Sequence, residues 1–371
     1  MIRKRVLFIL LFCATLCGCA IGAEDPENRR LITTLGFDCA SEGQIRVTLR
    51  FEPLTPGLQS GMVTAKDEKN GFIVQSSIAK GITQALEQMQ LCDEQSHFIG
   101  QCKTIVLGEE LCRNGIFHQL MPLTRPPLLP PTAFIVNAKG DAKKILDLQF
   151  EGSEATRIKI LHYLSKQKIP FHLTRLWELY QAVLDPLKDP ALPLSEPQNG
   201  KSLHLLGLAL FKGDRKVGEL SMDESILLAV AGNFLKTTTT LTLSMEKTKF
   251  ATFQILGSGS RIEGDYRGNQ PNFLFKIKLN LILREQSLYP LPLTSGELFQ
   301  LTRKTKKILK HRFQYLFTKL QRLKTDPLAL GERLRIQQTK HFRFNRWERE
   351  YPNASFKVDL RLKIVKTGVT K

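Results

Sequence analysis

Nowhere do these 371 residues hold the roughly 20 consecutive apolar residues that a membrane-crossing helix requires. The most apolar late stretch, Ser225 to Leu235, is soon interrupted by Lys236 and a run of threonines, so no spanning helix is expected. Signatures of catalysis are missing too: there is no Walker loop, no His-Glu-x-x-His pair and no Gly-x-Ser-x-Gly elbow. The seven histidines are scattered, and His97, His118 and His172 read as structural or surface residues. No Cys-x-x-Cys or His-x-x-x-His pair is present, and Cys92, Cys102 and Cys112 follow one another at intervals of ten, so neither a metal nor a cofactor is expected. The chain is read as non-catalytic.

What is present begins at the N-terminus. Arg3, Lys4 and Arg5 precede the apolar run Val6 to Leu16, which is too short to anchor as a helix and reads as a signal peptide. The run closes on Leu16-Cys17-Gly18-Cys19, the pattern of a bacterial lipobox: Leu, two small residues, Cys. Cleavage before Cys19 is therefore expected. A diacylglyceryl group on that thiol then anchors the protein, because two acyl chains hold where one binds only marginally. Cys39, Cys92, Cys102 and Cys112 remain, and a chain this long does not need staples, so free thiols are expected.

Acidic residues are the scarce charge, 35 Asp or Glu against 54 Lys or Arg for a formal net charge of +19. The excess is uneven: from Gly296 to Lys371 twenty basic residues face six acidic ones. In an exported, lipid-tethered protein this points away from nucleic acid. Anionic lipid headgroups, which attract Lys and Arg near a membrane surface, are the functional alternative to a merely solvated basic face.

Periodicity supplies the elements. Gln44 to Phe51 alternates apolar and polar residues, as a strand with one buried face does. Ser77 to Met89 carries Ile78, Ile82, Ala85, Leu86 and Met89 at helical spacing. Thr104 to Leu107 is a strand running straight into a helix start, where Glu109 and Glu110 complement the helix dipole. Thr132 to Asn137 is a further strand, followed by a short helix at Ala142 to Leu146. Leu203 to Phe211 and Val217 to Leu220 flank a turn as a hairpin, and Asp223 to Leu235 follows as a helix. Thr237 to Ser244, Ala251 to Leu256, Phe273 to Leu283 and Ser355 to Val365 are strands, with Gly257-Ser258-Gly259-Ser260 read as a loop. Ser295 to Lys324 is a long basic amphipathic helix, and the strands flanking it favour packing of its apolar stripe on a sheet.

The expected fold class is α+β, multi-domain, with antiparallel or mixed sheets and packed helices. Residues 1–18 are assigned to the signal peptide, 19–30 to a tether and 31–185 to an N-terminal α+β domain. The prolines at 186, 190, 193 and 197 suggest a linker over 186–200. A C-terminal α+β region, 201–371, follows, with a further subdivision into 201–270 and 271–371.

The lipobox, Leu35-Gly36-Phe37-Asp38, Ile105 to Leu111 (Ile-Val-Leu-Gly-Glu-Glu-Leu) and Phe134 to Gly140 (Phe-Ile-Val-Asn-Ala-Lys-Gly) occur in an order that resembles the Ger(x)C family, the C subunits of spore germinant receptors. The similarity continues through Gly207 to Leu220, Glu224, Asp326 to Leu334, Trp347 before Tyr351-Pro352, and Thr367-Gly368. The chain departs from the family just after Cys19, where Ala20-Ile21 and Asn28-Arg29-Arg30-Leu31 replace the usual Trp-Asp and Arg-Glu-Ile. The resemblance implies a lipid-anchored, non-catalytic subunit on the outer face of the cytoplasmic (inner spore) membrane. It also implies partnership with integral-membrane A and B receptor subunits in nutrient-triggered germination. The alternatives are a lipid-anchored solute-binding protein of a transporter, which needs a cleft between two similar lobes, and a cortex hydrolase, which needs paired carboxylates in a groove.

Overall fold

The computed structural model describes residues 29–51, 72–124, 129–148, 170–235, 238–268, 270–289 and 292–366. Strand β1 (Arg29–Cys39) pairs antiparallel with β2 (Ile45–Phe51), which pairs antiparallel with β3 (Ile73–Ala79). Helix α1 (Ile82–Gln90) leads to β4 (Ser96–Phe98), parallel to the first residues of β1, and then to β5 (Thr104–Leu107), parallel to its later ones. After α2 (Glu109–Asn114) and α3 (Phe117–Leu120), β6 (Phe134–Ala138) extends the parallel run. Helices α4 (Ala142–Leu146) and α5 (Leu176–Leu184) precede β7 (Ala191–Gln198), and β8 (Ser202–Lys212) and β9 (Arg215–Ser221) close the sheet as a hairpin. The nine strands run in the order β3-β2-β1-β5-β6-β7-β8-β9, with β4 beside β1.

Arg29 and Arg30, placed in the expected tether, pair with Ser96 and His97 at the start of β1. The helix expected over Ser77 to Met89 starts later. Residues through Ala79 are held in β3 by the ladder to β2, and Gly81, in extended conformation, caps the helix that begins at Ile82. The strand read as having one buried face is buried on both. Ile45, Val47, Leu49 and Phe51 join the core that includes α1, while Thr48 and Arg50 are buried on the alternate face, where Arg50 reaches the Leu146 carbonyl at the end of α4.

The expected linker holds a strand. Residues 191–198 form β7, whose ladder to β6 spans only Asn137↔Leu194 and Ala138↔Ser195. Pro193 and Pro197 lie outside that short ladder, where the missing N–H costs no bond to β6. As a result β8 and β9, which come after the expected linker, complete the first sheet.

Helix α6 (Met222–Gly232) starts from a capping box in which the Ser221 hydroxyl and the Glu224 carboxylate each accept a backbone N–H. Its residues Ser225 to Gly232 are all buried, because it touches β8 and β9 on one side and strands of a second sheet on the other. That sheet is β10 (Thr239–Ser244), β11 (Phe250–Arg267), β12 (Gln270–Gln286) and β13 (Ser355–Lys366), in this order, the last pair parallel. The Gly257 to Ser260 segment read as a loop lies within β11, paired with Ile277 to Asn280 beside a register shift at Ile255/Gly257 where glycine is at home. The proposed cut at 270/271 falls inside the β11–β12 hairpin, whose ladder continues to Arg267↔Gln270.

Helix α7 (Ser295–Arg322) begins at a Thr294/Glu297 capping box and, as expected of a core helix, lays its apolar stripe on this sheet. Leu301, Leu309, Phe313, Leu316, Phe317 and Leu320 are buried, and the Phe317 ring stacks on Phe275 with centroids 4.2 Å apart. Helices α8 (Leu330–Gln337) and α9 (Phe344–Glu350) then lead into β13. The molecule is an α+β assembly of two sheets with packed helices.

Candidate interaction surface

Several sequence motifs resolve into joints. Leu35-Gly36-Phe37-Asp38 ends β1, and the Asp38 carboxylate accepts the N–H groups of Ala142 (2.6 Å) and Lys143 (3.0 Å), capping α4. Burial pushes that carboxyl above its ordinary range, against the lowering effect of the two N–H bonds. Position 108 must be glycine, since a Cβ there would lie 2.1 Å from Asp38 Oδ1.

Glu109 stands in the first turn of α2, where an acid complements the helix dipole, and does more. Its carboxylate accepts from Arg113 (2.7 Å), from the Gly140 N–H (3.1 Å) and from Lys216 Nζ (3.4 Å), while Lys216 also meets Glu219 at 2.8 Å. Although burial opposes ionisation, Arg113 and Lys216 together hold Glu109 below the usual carboxylate range. The side chain of Lys216 is 3% exposed, so the β8–β9 hairpin is locked to the end of β6 through α2 by an ion pair largely out of water. Glu224 completes the α6 cap and also pairs with Lys319 of α7 at 2.8 Å.

The motif from Asp326 to Leu334 is a third joint. Asp189 accepts the N–H groups of Gly213 and Asp326, both at 2.8 Å, and its own N–H donates to the Asp326 carbonyl at 3.1 Å. Asp326 accepts the Gly331 N–H at 2.9 Å, and Tyr351 donates its hydroxyl to the Thr325 carbonyl at 2.6 Å. Full burial, with the Asp189 charge adding to it, pushes the Asp326 carboxyl up to about 7. Trp347 fits against Gly331, where a Cβ would stand 2.6 Å from the indole nitrogen. Inside the first sheet, Arg50 is fully buried, donates to the Leu146 and Leu148 carbonyls and lies 3.5 Å from the centroid of the Phe72 ring. Nothing in sequence had marked Arg50 or Asp189, and Lys216 stood only as one residue of the family-like stretch Gly207 to Leu220.

The remaining sequence candidates stay apart. His97 pairs with Asp93 (3.0 Å), His118 lies beside the Phe117 ring, and His172 meets Glu178 (2.9 Å). Cys39, Cys92, Cys102 and Cys112 are free, with Cys92 exposed and Cys102 and Cys112 buried. Burial pushes the Cys102 thiol up to about 12 and Cys112 higher still, so neither is a nucleophile at neutral pH. Among the described residues no group of His, Cys, Asp and Glu is placed to hold a metal ion, and no helix is long and apolar enough to cross a membrane. Cys19 lies outside the described residues.

The unneutralised charge is outside. On α7, Arg303, Lys306, Lys307 and Lys310 are exposed, while Lys304 and Arg312 reach Glu246 (2.9 Å) and Asp223 (3.1 Å). On the open face of the second sheet Lys278, Arg284, Arg361 and Lys363 are exposed, while Lys276 pairs with Glu263 at 2.7 Å. Such a surface attracts anions.

Two family models tile this architecture in order. The first, described as "Spore germination protein N-terminal domain", matches residues 22–197, and the second, "Spore germination B3/GerAC like, C-terminal", matches residues 206–368. The chain belongs to the GerAC-like family. A relative in Bacillus subtilis (strain 168), named "Putative spore germination protein YfkR", is 24% identical over 366 residues, which are 94% of this chain and 92% of that protein. The crystal structure of the GerBC protein matches with a TM-score of 0.59 at 20% identity, over 89% of this chain and 96% of the other, a likeness of fold. The junction between the two GerAC-like models, 197 to 206, falls in the β7–β8 turn and the first half of β8, within one continuous sheet.

Proposed function

We propose that this GerAC-like chain is the lipid-anchored C subunit of a nutrient germinant receptor. In this reading a diacylglyceryl group on Cys19 holds it at the outer face of the cytoplasmic (inner spore) membrane, where it works with integral-membrane A and B subunits. The observation that carries the reading is the ordered match to both spore germination models over nearly the whole chain. The lipobox ending at Cys19 supports the anchor. The subunit assembles and does not turn anything over: the buried carboxylates Asp38, Asp189 and Asp326 are engaged by backbone N–H groups of the chain's own turns and helices. The basic C-terminal region faces anionic lipid. A transporter-linked binding protein needs two similar lobes, and a nine-stranded mixed sheet beside a four-stranded one does not supply them.

Deletion of the gene in a spore-forming host tests the reading. Loss of germination in response to particular nutrients, with a normal response to a nutrient-independent trigger, is the expected result. Normal germination with every nutrient, or failure with every trigger, contradicts it.

A further inference from the structure

The segment joining α8 to α9 combines two features. The first is exposed apolar bulk at both its ends: Ile336, in the last turn of α8, is 64% exposed, and Phe344, which opens α9, is 58% exposed. The second is charge of one sign around them. From Arg335 to Arg349 stand Arg335, Lys340, Arg343, Arg346 and Arg349, with Glu348 as the one acidic residue in that stretch. The next acid, Glu350, is already engaged by the Tyr266 hydroxyl at 3.0 Å.

The apolar side chains are held outward by a firm base. Gln337 donates to the Ile262 carbonyl (3.2 Å) and accepts the Gly264 N–H (2.6 Å), tying the end of α8 to β11. Between the two exposed residues Phe342 is buried, with its ring 5.4 Å from Phe344 and 6.2 Å from Trp347, which is itself buried. Burial of Phe342 and Trp347 anchors the segment, and Ile336 and Phe344 stand in water, where burial against an apolar phase would be favourable.

Behind this tip Arg346 and Arg349 line a surface cavity of about 580 Å³, together with Gln270, Pro271, Glu350 and Asn353. Neither guanidinium has an ion pair among the described residues. Two guanidiniums without an ion pair, lining a cavity whose one carboxylate, Glu350, is held by the Tyr266 hydroxyl, match the oxygens of a phosphate diester.

We propose that the α8–α9 segment is a membrane-seating tip: Ile336 and Phe344 enter the headgroup–acyl boundary of an anionic bilayer while Arg346 and Arg349 hold a lipid phosphate in the adjoining cavity. Apolar residues ringed by Arg and Lys are the composition that binds at this boundary, and binding grows with both buried apolar area and lipid charge. The tip specifies which part of the basic C-terminal region meets lipid, so it rests on that part of the function proposed above. It does not require the lipid on Cys19.

The test is flotation of the chain from Ala20 onward, which keeps every described residue and omits the lipidated cysteine. The vesicles are phosphatidylcholine alone or phosphatidylcholine with phosphatidylglycerol. The chain floats with the mixed vesicles and not with phosphatidylcholine. Arg346→Gln with Arg349→Gln lowers the partition coefficient about thirtyfold, and Ile336→Ser with Phe344→Ser lowers it about tenfold or more. All four side chains are surface groups, so the thermal transition of these variants stays unchanged. Wild-type flotation by the Ile336/Phe344 variant overturns insertion. Displacement by soluble glycerol phosphate overturns the lipid assignment in favour of a small phosphate ligand. If Lys306→Glu with Lys310→Glu abolishes flotation and the tip variants do not, lipid contact by the basic region stands and the tip proposal fails. If no variant and no wild-type chain floats, both fail, which an acidic protein partner for this surface would explain.

Discussion

The two sheets of this chain meet water differently. The first has parallel β1, β5, β6 and β7 at its centre, and the helices that connect such strands cover both faces, so β5 is buried at every residue. Its charges are turned inward and matched: Asp38 to the start of α4, Arg50 to two carbonyls, Glu109 to Lys216. The second is built on a long antiparallel hairpin with α6, α7 and α8 on one face, and burial along β12 alternates residue by residue. Its other face and the outer side of α7 carry the excess of Lys and Arg. A wound parallel sheet has no bare face on which to display charge, whereas a hairpin sheet does. The contrast separates a scaffold from a presenting surface.

The largest effects should come from the cores. Phe317→Ala removes a ring stacked on Phe275 between α7 and the second sheet and is expected to cost about 3–5 kcal/mol. Thermal denaturation reads this; a loss under 1 kcal/mol would mean that α7 is not integral to that sheet.

A smaller, pH-dependent effect belongs to the joint between the halves. The Asp326 carboxyl, raised to about 7 in the folded chain, has an ordinary value of 3.8. The folded state therefore keeps a proton that the unfolded chain releases. Its contribution is fully present below about 4, is lost as pH rises from about 4 to 7, and stays lost above that. Asp326→Asn removes this dependence, and urea titrations at several pH values should differ from wild type by a few kcal/mol across that window. Parallel curves would refute the raised carboxyl. Glu109→Ala leaves Lys216 with Glu219 alone and should cost about 1–3 kcal/mol in the same titrations.

The smallest effect on stability and the clearest on function lie outside. Lys306→Glu with Lys310→Glu should leave stability within about 0.5 kcal/mol. The same change should lower salt-sensitive retention on anionic membranes about tenfold or more. Unchanged retention would make the α7 face a solvated surface.

Elements whose signals are local were legible in the sequence: the alternation of β12, the β8–β9 hairpin, the buried stripe of α7 and the run from β5 into Glu109. Prolines at 193 and 197 and the glycines at 257 and 259 misled, since each tolerates irregular structure without requiring it. The joints were not legible because their partners are far apart in the chain, 107 residues for Glu109 and Lys216 and 137 for Asp189 and Asp326. The family motifs held Glu109, Lys216 and Asp326 and could not say what each would meet. Exposure decided the rest: the same basic composition that forms ion pairs at Lys216 and Lys319 is left open at Lys306 and Arg346.

The central claim is that this family member acts as a lipid-held subunit at a membrane, and Cys19→Ala addresses it most directly. Membranes from a sporulating host carrying either allele are washed in high salt, which strips electrostatic contacts and leaves acyl anchors in place. The account predicts that the wild-type protein stays with the membranes, that the variant is released, and that spores with the variant lose their response to particular nutrients. A variant that remains bound after the wash, or spores that germinate normally on every nutrient, would contradict it.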